Sequence, residues 1–234
     1  MLKIKSKQLY RVKITIEKFI LDMVLPNRCV RCQREGGIFC DRCKKYISII
    51  NPGYVMNDMY GFEKLLVAGL KEGWFERMVR DFKYKGRRDY GEFLAEKLGE
   101  MIFDEVKRIE IRKIVLVPLP TIRKHIRERG FDHTLRLCFE LENFLQKRLE
   151  KLGMKVEYED LLVRKNKTVQ VGKEKKERMK QAEKAYGIRE GIKIESKTLY
   201  VLVDDVTTTG ASLTAAKKIL QADQVWAAVL MKER

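Results

Sequence analysis

The chain has 234 residues, of which 45% are hydrophobic, enough to bury one α/β core with a small appended unit. Fifty basic residues against 33 acidic ones give a formal net charge of +17, which favours anionic partners: nucleic acid, polyphosphates or a membrane surface. No apolar run approaches the roughly 18 residues of a membrane span, and charged residues interrupt any signal-peptide core, so we expect no membrane span and a cytoplasmic location.

Most of the excess charge is concentrated in three short segments. Residues 80–88, 123–129 and 164–180 carry net charges of +4, +3 and +6. Such segments are candidates for loops over an anionic site. The alternative is a solvated, lysine-rich surface, and the two interpretations do not exclude each other.

The first segment, residues 1–25, has the periodicity of an amphipathic helix. Apolar residues recur every three or four positions and so form one stripe: Leu9, Val12, Ile16, Phe19 and Met23. We expect this stripe to pack on the body of the protein or on a partner, with a membrane-surface role as the alternative. Pro26 ends the helix.

Four cysteines follow within residues 26–50, as the pairs Cys29/Cys32 and Cys40/Cys43. Two C-x-x-C pairs at this spacing let four thiolates surround one tetrahedral Zn²⁺, and a full thiolate shell leaves no open position, which predicts a structural zinc. Disulfides are the alternative, disfavoured in the cytoplasm, whereas a redox motif needs only one pair. Cys138, in an apolar helical stretch, is expected to be a buried thiol.

Residues 54–234 are expected to form the main domain. Apolar runs alternate with helical periodicities through its second half, which predicts a mainly parallel sheet flanked by helices. The predicted strands are residues 65–70, 114–117, 158–163, 199–203 and 224–231, while residues 54–60 show no regular pattern. Residues 123–131 predict a basic loop, and residues 164–180 are so polar that we expect them to fray or to close over a ligand.

The candidate site is the stretch from Thr198 to Leu213, T-L-Y-V-L-V-D-D-V-T-T-T-G-A-S-L. Its apolar run predicts a strand buried on both faces. Asp204 and Asp205 then emerge at the carboxyl end of the strand, where α/β sheets open onto a ligand crevice. Hydroxyl residues and Gly210 lead into a helical pattern, whose N-terminal amides and positive dipole end suit a phosphate.

Carboxylates beside a phosphate-binding turn predict a sugar phosphate. The carboxylates accept hydrogen bonds from ribose hydroxyls, and the turn holds the 5'-phosphate. The alternative is that Asp205 and Thr207 to Thr209 only cap the helix. Neither G-x-x-x-x-G-K-[ST] nor G-x-G-x-x-G after a strand occurs, which disfavours other nucleotide-binding folds.

The run V-L-V-D-D-V-T-T-T-G-A-S resembles the phosphoribosyl pyrophosphate (PRPP) signature of type I phosphoribosyltransferases. Further motifs extend the resemblance to the ComF family of competence proteins, which resemble amidophosphoribosyltransferases. These motifs are the paired C-x-x-C, Lys83-Tyr84-Lys85-Gly86-Arg87, Val117-Pro118-Leu119-Pro120, Arg127-Glu128-Arg129-Gly130-Phe131, and Thr168-Val169-Gln170 ahead of Arg178. They cover residues 27–234 in the family's order, and residues 1–25 lie outside the resemblance.

The resemblance implies a type I phosphoribosyltransferase-like fold with a zinc knuckle, and it implies PRPP as ligand. The catalytic residues would be Asp204 and Asp205, which hold the ribose. The PRPP loop would comprise Asp204, Asp205, Val206, Thr207, Thr208, Thr209, Gly210, Ala211 and Ser212. Pyrophosphate contacts would come from Lys83, Lys85, Arg127, Arg129 and Arg178. Mg²⁺, held mostly by water and phosphate, would bridge the pyrophosphate to the ribose.

The chain departs from the family near the expected acceptor pocket. The family's Arg-Gly-Phe-Asn-Gln appears as R-G-F-D-H at 129–133, and Gln181 replaces an expected Asn. These changes bear on the base that is recognised, not on PRPP. Thr208 stands where 6-oxopurine salvage enzymes carry an Asp, which argues against hypoxanthine-guanine salvage.

Two functions from different classes follow from this sequence. One is a PRPP-dependent phosphoribosyltransferase with an unidentified acceptor and a role in DNA uptake. The other is a non-catalytic competence module that keeps the PRPP-type pocket while its zinc knuckle and basic loops bind single-stranded DNA alongside a helicase. The sequence specifies neither the acceptor nor the oligomeric state.

Overall fold

The computed structural model describes residues 29–35, 37–46, 51–165 and 185–233, with the isolated positions 12 and 16. Three predicted features lie wholly or mostly outside these residues: the N-terminal helix, the polar segment 164–180 and the candidate pyrophosphate residue Arg178. Within the described ranges, no helix combines the length and the apolar character needed to cross a membrane.

A mixed sheet carries the main domain, and the described residues contribute six strands to it in the order β1-β2-β8-β7-β3-β4. The bounds are β1 Tyr54–Met59, β2 Phe62–Leu70, β3 Lys113–Pro118, β4 Lys155–Tyr158, β7 Thr198–Thr207 and β8 Gln224–Lys232. Only β1 and β2 pair in antiparallel fashion among these strands. The predicted mainly parallel sheet is therefore confirmed.

Helices cover both faces of the sheet. The helices of the described residues are α1 Asp41–Lys44, α2 Gly73–Tyr84, α3 Tyr90–Val106, α4 Arg123–Arg129, α5 His133–Leu149 and α6 Ala211–Leu220, of which α2, α3, α5 and α6 pack on the sheet. Buried residues of α2, α3 and α5 pack on one face, in a core that includes Phe75, Leu98 and Leu141. The other face packs against α6 and against the antiparallel pair β5 Leu162–Arg164 and β6 Tyr186–Ile188.

Three local predictions were wrong. Residues 123–129 form the helix α4 instead of a loop, because basic side chains are good helix formers and Gly130, at φ 76°, supplies the left-handed end. Residues 54–59 form β1, whose largely exposed pattern hid the strand signal. Residues 158–163 divide between β4 and β5, which belong to different sheets.

The cysteine module packs on the main core and does not stand apart from it. The Phe39 ring lies 5.1 Å from Trp74 of α2 and 4.5 Å from Phe93 of α3, measured between ring centroids. Farther along the chain, the Asn51 side chain donates to the Leu70 carbonyl at 3.1 Å and accepts from the Leu70 amide at 2.7 Å. These two bonds fix residue 51, which follows the module in the chain, at the carboxyl end of β2.

Strand β7 lies between β8 and β3, at the middle of the sheet. Successive side chains point to opposite faces, so Leu199, Val201 and Val203 join the core under α2, α3 and α5, whereas Tyr200 and Leu202 join the core under α6. The uniformly apolar run that predicted a doubly buried strand thus has the expected environment.

Candidate functional site

The two adjacent carboxylates lie at the carboxyl end of β7, as predicted, but in different environments. Asp205 continues the series of β7 residues that face α2 and α5, and it is only 4% exposed. Asp204 is partly exposed. The sequence placed both at the mouth of the site, and the alternation of the strand explains why one of them turns inward instead.

The buried carboxylate of Asp205 has two partners from distant parts of the chain. Lys83, at the end of α2, forms an ion pair with its Oδ2, and Nε2 of His133, the first residue of α5, lies 3.5 Å from the same oxygen. Burial acts to raise the pKa of Asp205, but the contacts with His133 and Lys83 outweigh it and hold that pKa below its usual value. Asp205 is therefore an ionised, buried carboxylate.

Asp204 titrates in the opposite direction. Burial of its carboxyl group and the negative charge of Asp205 raise its pKa well above the usual value. Its Oδ1 also accepts a hydrogen bond from the Asp205 amide at 2.8 Å. The pair thus combines one carboxylate that stays charged with one that takes up a proton more readily.

His133 connects the carboxylate pair to the basic helix α4. Its Nδ1 lies 3.2 Å from Nη1 of Arg129, and since a guanidinium only donates, Nδ1 must accept. A neutral imidazole in this arrangement carries its proton on Nε2, facing Asp205. The ring nitrogen nearest the carboxylates is then not free to ligate a metal ion, although His133, Asp204 and Asp205 have ligand atoms within 4.8 Å of one another.

The turn after β7 has the features of an anion cradle. Thr208, Thr209 and Ser212 are exposed. Gly210, at φ 71°, is the N-cap of α6 in a left-handed conformation that glycine tolerates. The first amides of a helix have no partners within the helix, and those of α6 follow this turn directly.

Two backbone carbonyls at this turn accept hydrogen bonds from other segments of the chain. The carbonyl of Thr207 accepts from the Glu233 amide at 2.8 Å, and the carbonyl of Thr208 accepts from the Tyr60 hydroxyl at 2.8 Å. The tip of the β1–β2 hairpin and the end of β8 therefore both contact the turn.

A cleft of about 370 Å³ lies at the same edge of the sheet. Lys232 of β8 pairs in register with Thr207 of β7 and with Leu70 of β2, which places the cleft beside the turn. Lys71 forms an ion pair with Glu233 there. The residues that line the cleft are Tyr54, Leu70, Lys71, Glu72, Lys232 and Glu233.

The predicted pyrophosphate residues divide into three groups. Lys83 and Arg129 lie at the carboxylate pair, through Asp205 and His133 respectively. Lys85 is 64% exposed and pairs with Asp81, and Arg127 is exposed on α4. Arg178 lies outside the described residues.

The two residues that differ from the family in the motif at 129–133, Asp132 and His133, both make defined contacts in the structure. Asp132 is the N-cap of α5, and its Oδ1 accepts from the amides of Thr134 and Leu135. His133, which follows it, contacts Asp205 instead of facing solvent. Sequence reasoning noted this substitution but did not include His133 among the site residues; it missed Tyr60 and the lysines of the cleft.

The four predicted zinc ligands come together. The sulfur atoms of Cys29, Cys32, Cys40 and Cys43 lie within 4.8 Å of one another. Although burial acts to raise the pKa of Cys29, hydrogen bonds from backbone amides, chiefly those of Cys32 and Cys40, lower it to about 6. Burial and the neighbouring thiols raise the pKa of Cys43 to about 12. Four sulfurs with amides directed at one of them are a donor set that suits Zn²⁺.

A curated competence protein is similar to part of this chain. The chain is 29% identical over 148 residues to competence protein ComFC of Streptococcus pneumoniae (strain ATCC BAA-255 / R6). The match covers 63% of this chain and 59% of the relative, so the chain matches somewhat under two thirds of that protein. No protein-family model matches. The relative confirms the resemblance predicted from the motifs.

Solved structures of phosphoribosyltransferases are also similar to the chain, at low scores. Hypoxanthine-guanine phosphoribosyltransferase of Schistosoma mansoni, in complex with IMP, is 14% identical with a TM-score of 0.34, covering 63% of this chain and 57% of that one. The hypoxanthine phosphoribosyl transferase of Trypanosoma cruzi is 14% identical with a TM-score of 0.39, covering 63% and 67%.

Proposed function

We propose that this relative of competence protein ComFC is a PRPP-binding, phosphoribosyltransferase-like protein with a role in DNA uptake. The observation that carries the proposal is the pair Asp204–Asp205 at the carboxyl end of a central strand, directly before a glycine-containing turn and a helix N-terminus. This order brings acceptors for sugar hydroxyls and donors for a phosphate to one edge of the sheet.

Each part of PRPP has a matching group in this arrangement. The ribose hydroxyls would donate to the partly exposed Asp204, and the buried Asp205 would act from behind it through Lys83 and His133. The 5'-phosphate would bind the amides and hydroxyls of residues 207–212. Lys83 forms an ion pair with Asp205 and is one of the predicted pyrophosphate residues. It would therefore lie between the ribose and the pyrophosphate that leaves. Arg129, on α4, would add a second positive charge beside that of Lys83.

Mg²⁺ fits the carboxylate side of this site better than the histidine side. Magnesium prefers oxygen ligands and keeps several waters, and the oxygen donors here are Asp204 and Asp205. His133 directs an N–H towards them when neutral, as its contact with Arg129 requires. When bound with PRPP, the ion would neutralise charge on the leaving pyrophosphate.

In a transfer reaction, the bond between C1 of the ribose and the pyrophosphate oxygen breaks and an acceptor forms a new bond to C1. The electron pair leaves with the pyrophosphate, and C1 gains positive charge in the transition state. Asp204 would hold the sugar in place, Asp205 would orient Lys83, and lysine and arginine would neutralise the departing group.

Calorimetry tests this proposal directly. Titration of PRPP with Mg²⁺ into the wild-type chain is expected to give saturable heat. The double variant Asp204→Asn/Asp205→Asn keeps the shape of both side chains but removes their charge, and it should lose at least a hundredfold in affinity. Equal heat from both proteins would end the assignment. A screen for pyrophosphate release with nucleobases, ammonia and single-stranded DNA would then identify the acceptor.

A second candidate function is binding of single-stranded DNA without catalysis, and one surface feature favours it. Tyr84 is 60% exposed, and the Arg129 guanidinium lies 4.6 Å from its ring centroid. Nearby, the Arg88 guanidinium lies 4.8 Å from the Phe131 ring. Aromatic rings interleaved with cations are a common surface for single strands, since bases stack and phosphates pair. A helicase partner would act on the same strand.

The salt dependence of binding tests this second function. Affinity for an oligothymidine should fall steeply with salt, and Arg129→Ala should reduce the slope of log affinity against log salt by about 0.7, the share of one phosphate contact on a single strand. Tyr84→Ala should weaken binding by about tenfold through lost stacking. Leu152→Ala, at another exposed apolar side chain, is the control. A flat salt response would exclude this function.

A further inference from the structure

The tip of the β1–β2 hairpin is fastened to the turn that follows β7. The Tyr60 hydroxyl donates to the Thr208 carbonyl at 2.8 Å. The main chain at the tip also accepts hydrogen bonds from α6: Thr214 Oγ1 donates to the Tyr60 carbonyl at 3.4 Å, and Lys217 Nζ donates to the Gly61 carbonyl. The hairpin thus contacts both the turn and the helix α6.

The Tyr60 ring also packs closely against Gly210. A Cβ atom added at Gly210 would lie 2.3–2.7 Å from three carbon atoms of that ring, closer than Cβ atoms approach other atoms in proteins. The two residues are therefore matched, since the missing side chain makes room for the ring. Gly210 is also the left-handed N-cap of α6, so this contact lies at the base of the proposed phosphate cradle.

Tyr60 holds this position in an uncommon backbone conformation. Its φ is 57°, in the left-handed region that bulky residues seldom adopt. The two-residue turn of the hairpin requires it: Met59 pairs with Phe62, and Gly61, the other residue of the turn, is also left-handed at φ 76°. Contacts with Thr208, Gly210, Thr214 and Lys217 then fix this turn against the rest of the protein.

The hydroxyl contact determines the direction of one amide. The peptide that joins Thr208 to Thr209 is trans, so its carbonyl and its N–H point in opposite directions. Because Tyr60 holds the carbonyl on the hairpin side, the Thr209 N–H must point away from the hairpin. An exposed, outward amide beside a helix N-terminus is a donor for an anion.

We infer that Tyr60 is a positioning residue for the 5'-phosphate of the sugar ligand. It orients the Thr209 amide through the Thr208 carbonyl and does not touch the ligand itself. The inference rests on the proposed function, because it requires residues 207–212 to be the phosphate cradle. It adds a residue from the β1–β2 hairpin, far from the PRPP signature in sequence, to the determinants of phosphate affinity.

Tyr60→Phe isolates this role, since it keeps the ring against Gly210 and removes only the hydroxyl. Calorimetry with ribose 5-phosphate on the full chain is expected to show an affinity about fivefold weaker than wild type, the factor that corresponds to one hydrogen bond of roughly 1 kcal/mol. In ¹⁵N-edited NMR spectra, the Thr209 amide should shift on ligand binding in the wild type and shift less in the variant.

Tyr200→Phe is the matched control. The Tyr200 hydroxyl also bonds one backbone group, accepting from the Glu195 amide at 2.8 Å, and it lies at the opposite end of β7. Both variants should lower the melting temperature slightly, but only Tyr60→Phe should weaken ribose 5-phosphate. Wild-type chain that does not bind this ligand would overturn the phosphate assignment and the inference with it. Two other results would overturn only the role of Tyr60 and leave the phosphate assignment intact. In one, Tyr60→Phe binds ribose 5-phosphate as tightly as the wild type; in the other, both variants are weakened equally.

Discussion

Replacing Lys83 by methionine is expected to destabilise the protein by about 3 kcal/mol, because it leaves the Asp205 carboxylate buried without its cation. The Asp205 side chain is 6% exposed and that of Lys83 is 20% exposed, so water compensates little. Denaturant titration at neutral pH measures the loss. A change below about 0.5 kcal/mol would show that the ion pair is not a buried one.

Lys85→Met is the matched control for this change. Lys85 lies two positions farther along the chain and pairs with Asp81 at 3.3 Å, but its side chain is 64% exposed. Its loss should cost little, as for other exposed ion pairs. The double variant Lys83→Met/Asp205→Asn removes both charges and should recover much of the stability lost in Lys83→Met alone.

The pH dependence follows from the lowered pKa of Asp205. A carboxyl group whose pKa is lower in the folded state contributes stability above its unfolded pKa of about 3.9, and that contribution is lost as the pH falls through the folded value. The contribution of Asp205 in the wild type should therefore be full above about pH 4 and shrink in stronger acid, and the difference in unfolding free energy from Lys83→Met should be larger at neutral pH than in strong acid. A difference that grows as the pH falls would contradict the assignment.

Removing one zinc ligand is expected to have a still larger effect on stability. Purified chain, without added metal, should contain about one zinc ion, and Cys43→Ala should contain almost none. Structural zinc contributes on the order of 10 kcal/mol of apparent free energy, so we expect a melting temperature lower by about 10 °C or more. The loss should extend to α2 and α3, because Phe39 packs between Trp74 and Phe93.

Cys138→Ala provides the comparison for the metal site. Cys138 is also fully buried, but it lies in the core on α5, outside the four-cysteine cluster. Its substitution should leave the zinc content unchanged, and the small cavity that it creates should lower the stability only slightly. A folded wild-type chain with no metal and four titratable thiols would refute the zinc assignment.

The central parts of the fold were predictable because their signals are local. The apolar run before Asp204 specifies a strand buried on both faces, and the carboxylates mark where it ends. The two C-x-x-C pairs specify a cluster, since each pair is confined to one short turn. In both cases the relevant residues are neighbours in sequence, and their chemistry restricts the structure strongly.

The remaining parts depend on contacts between distant segments. Nothing near Asp205 in the sequence indicates that Lys83 and His133 would enclose it, since they come from the end of α2 and the start of α5. Tyr60 lies at the tip of a hairpin whose exposed strand has no alternating apolar pattern. A left-handed conformation at a tyrosine runs against the usual steric preference, so a reading of local propensities predicts against it.

The strand order also bears on how the chain folds during synthesis. β8 lies between β2 and β7, yet the ribosome produces it after every other strand described here. Until then, the neighbouring strands present apolar edges without their central partner, and such edges are prone to pair with other chains. Nascent chains arrested before Gln224 should therefore remain sensitive to protease and require chaperones, and completion of β8 should confer protection in a single late step.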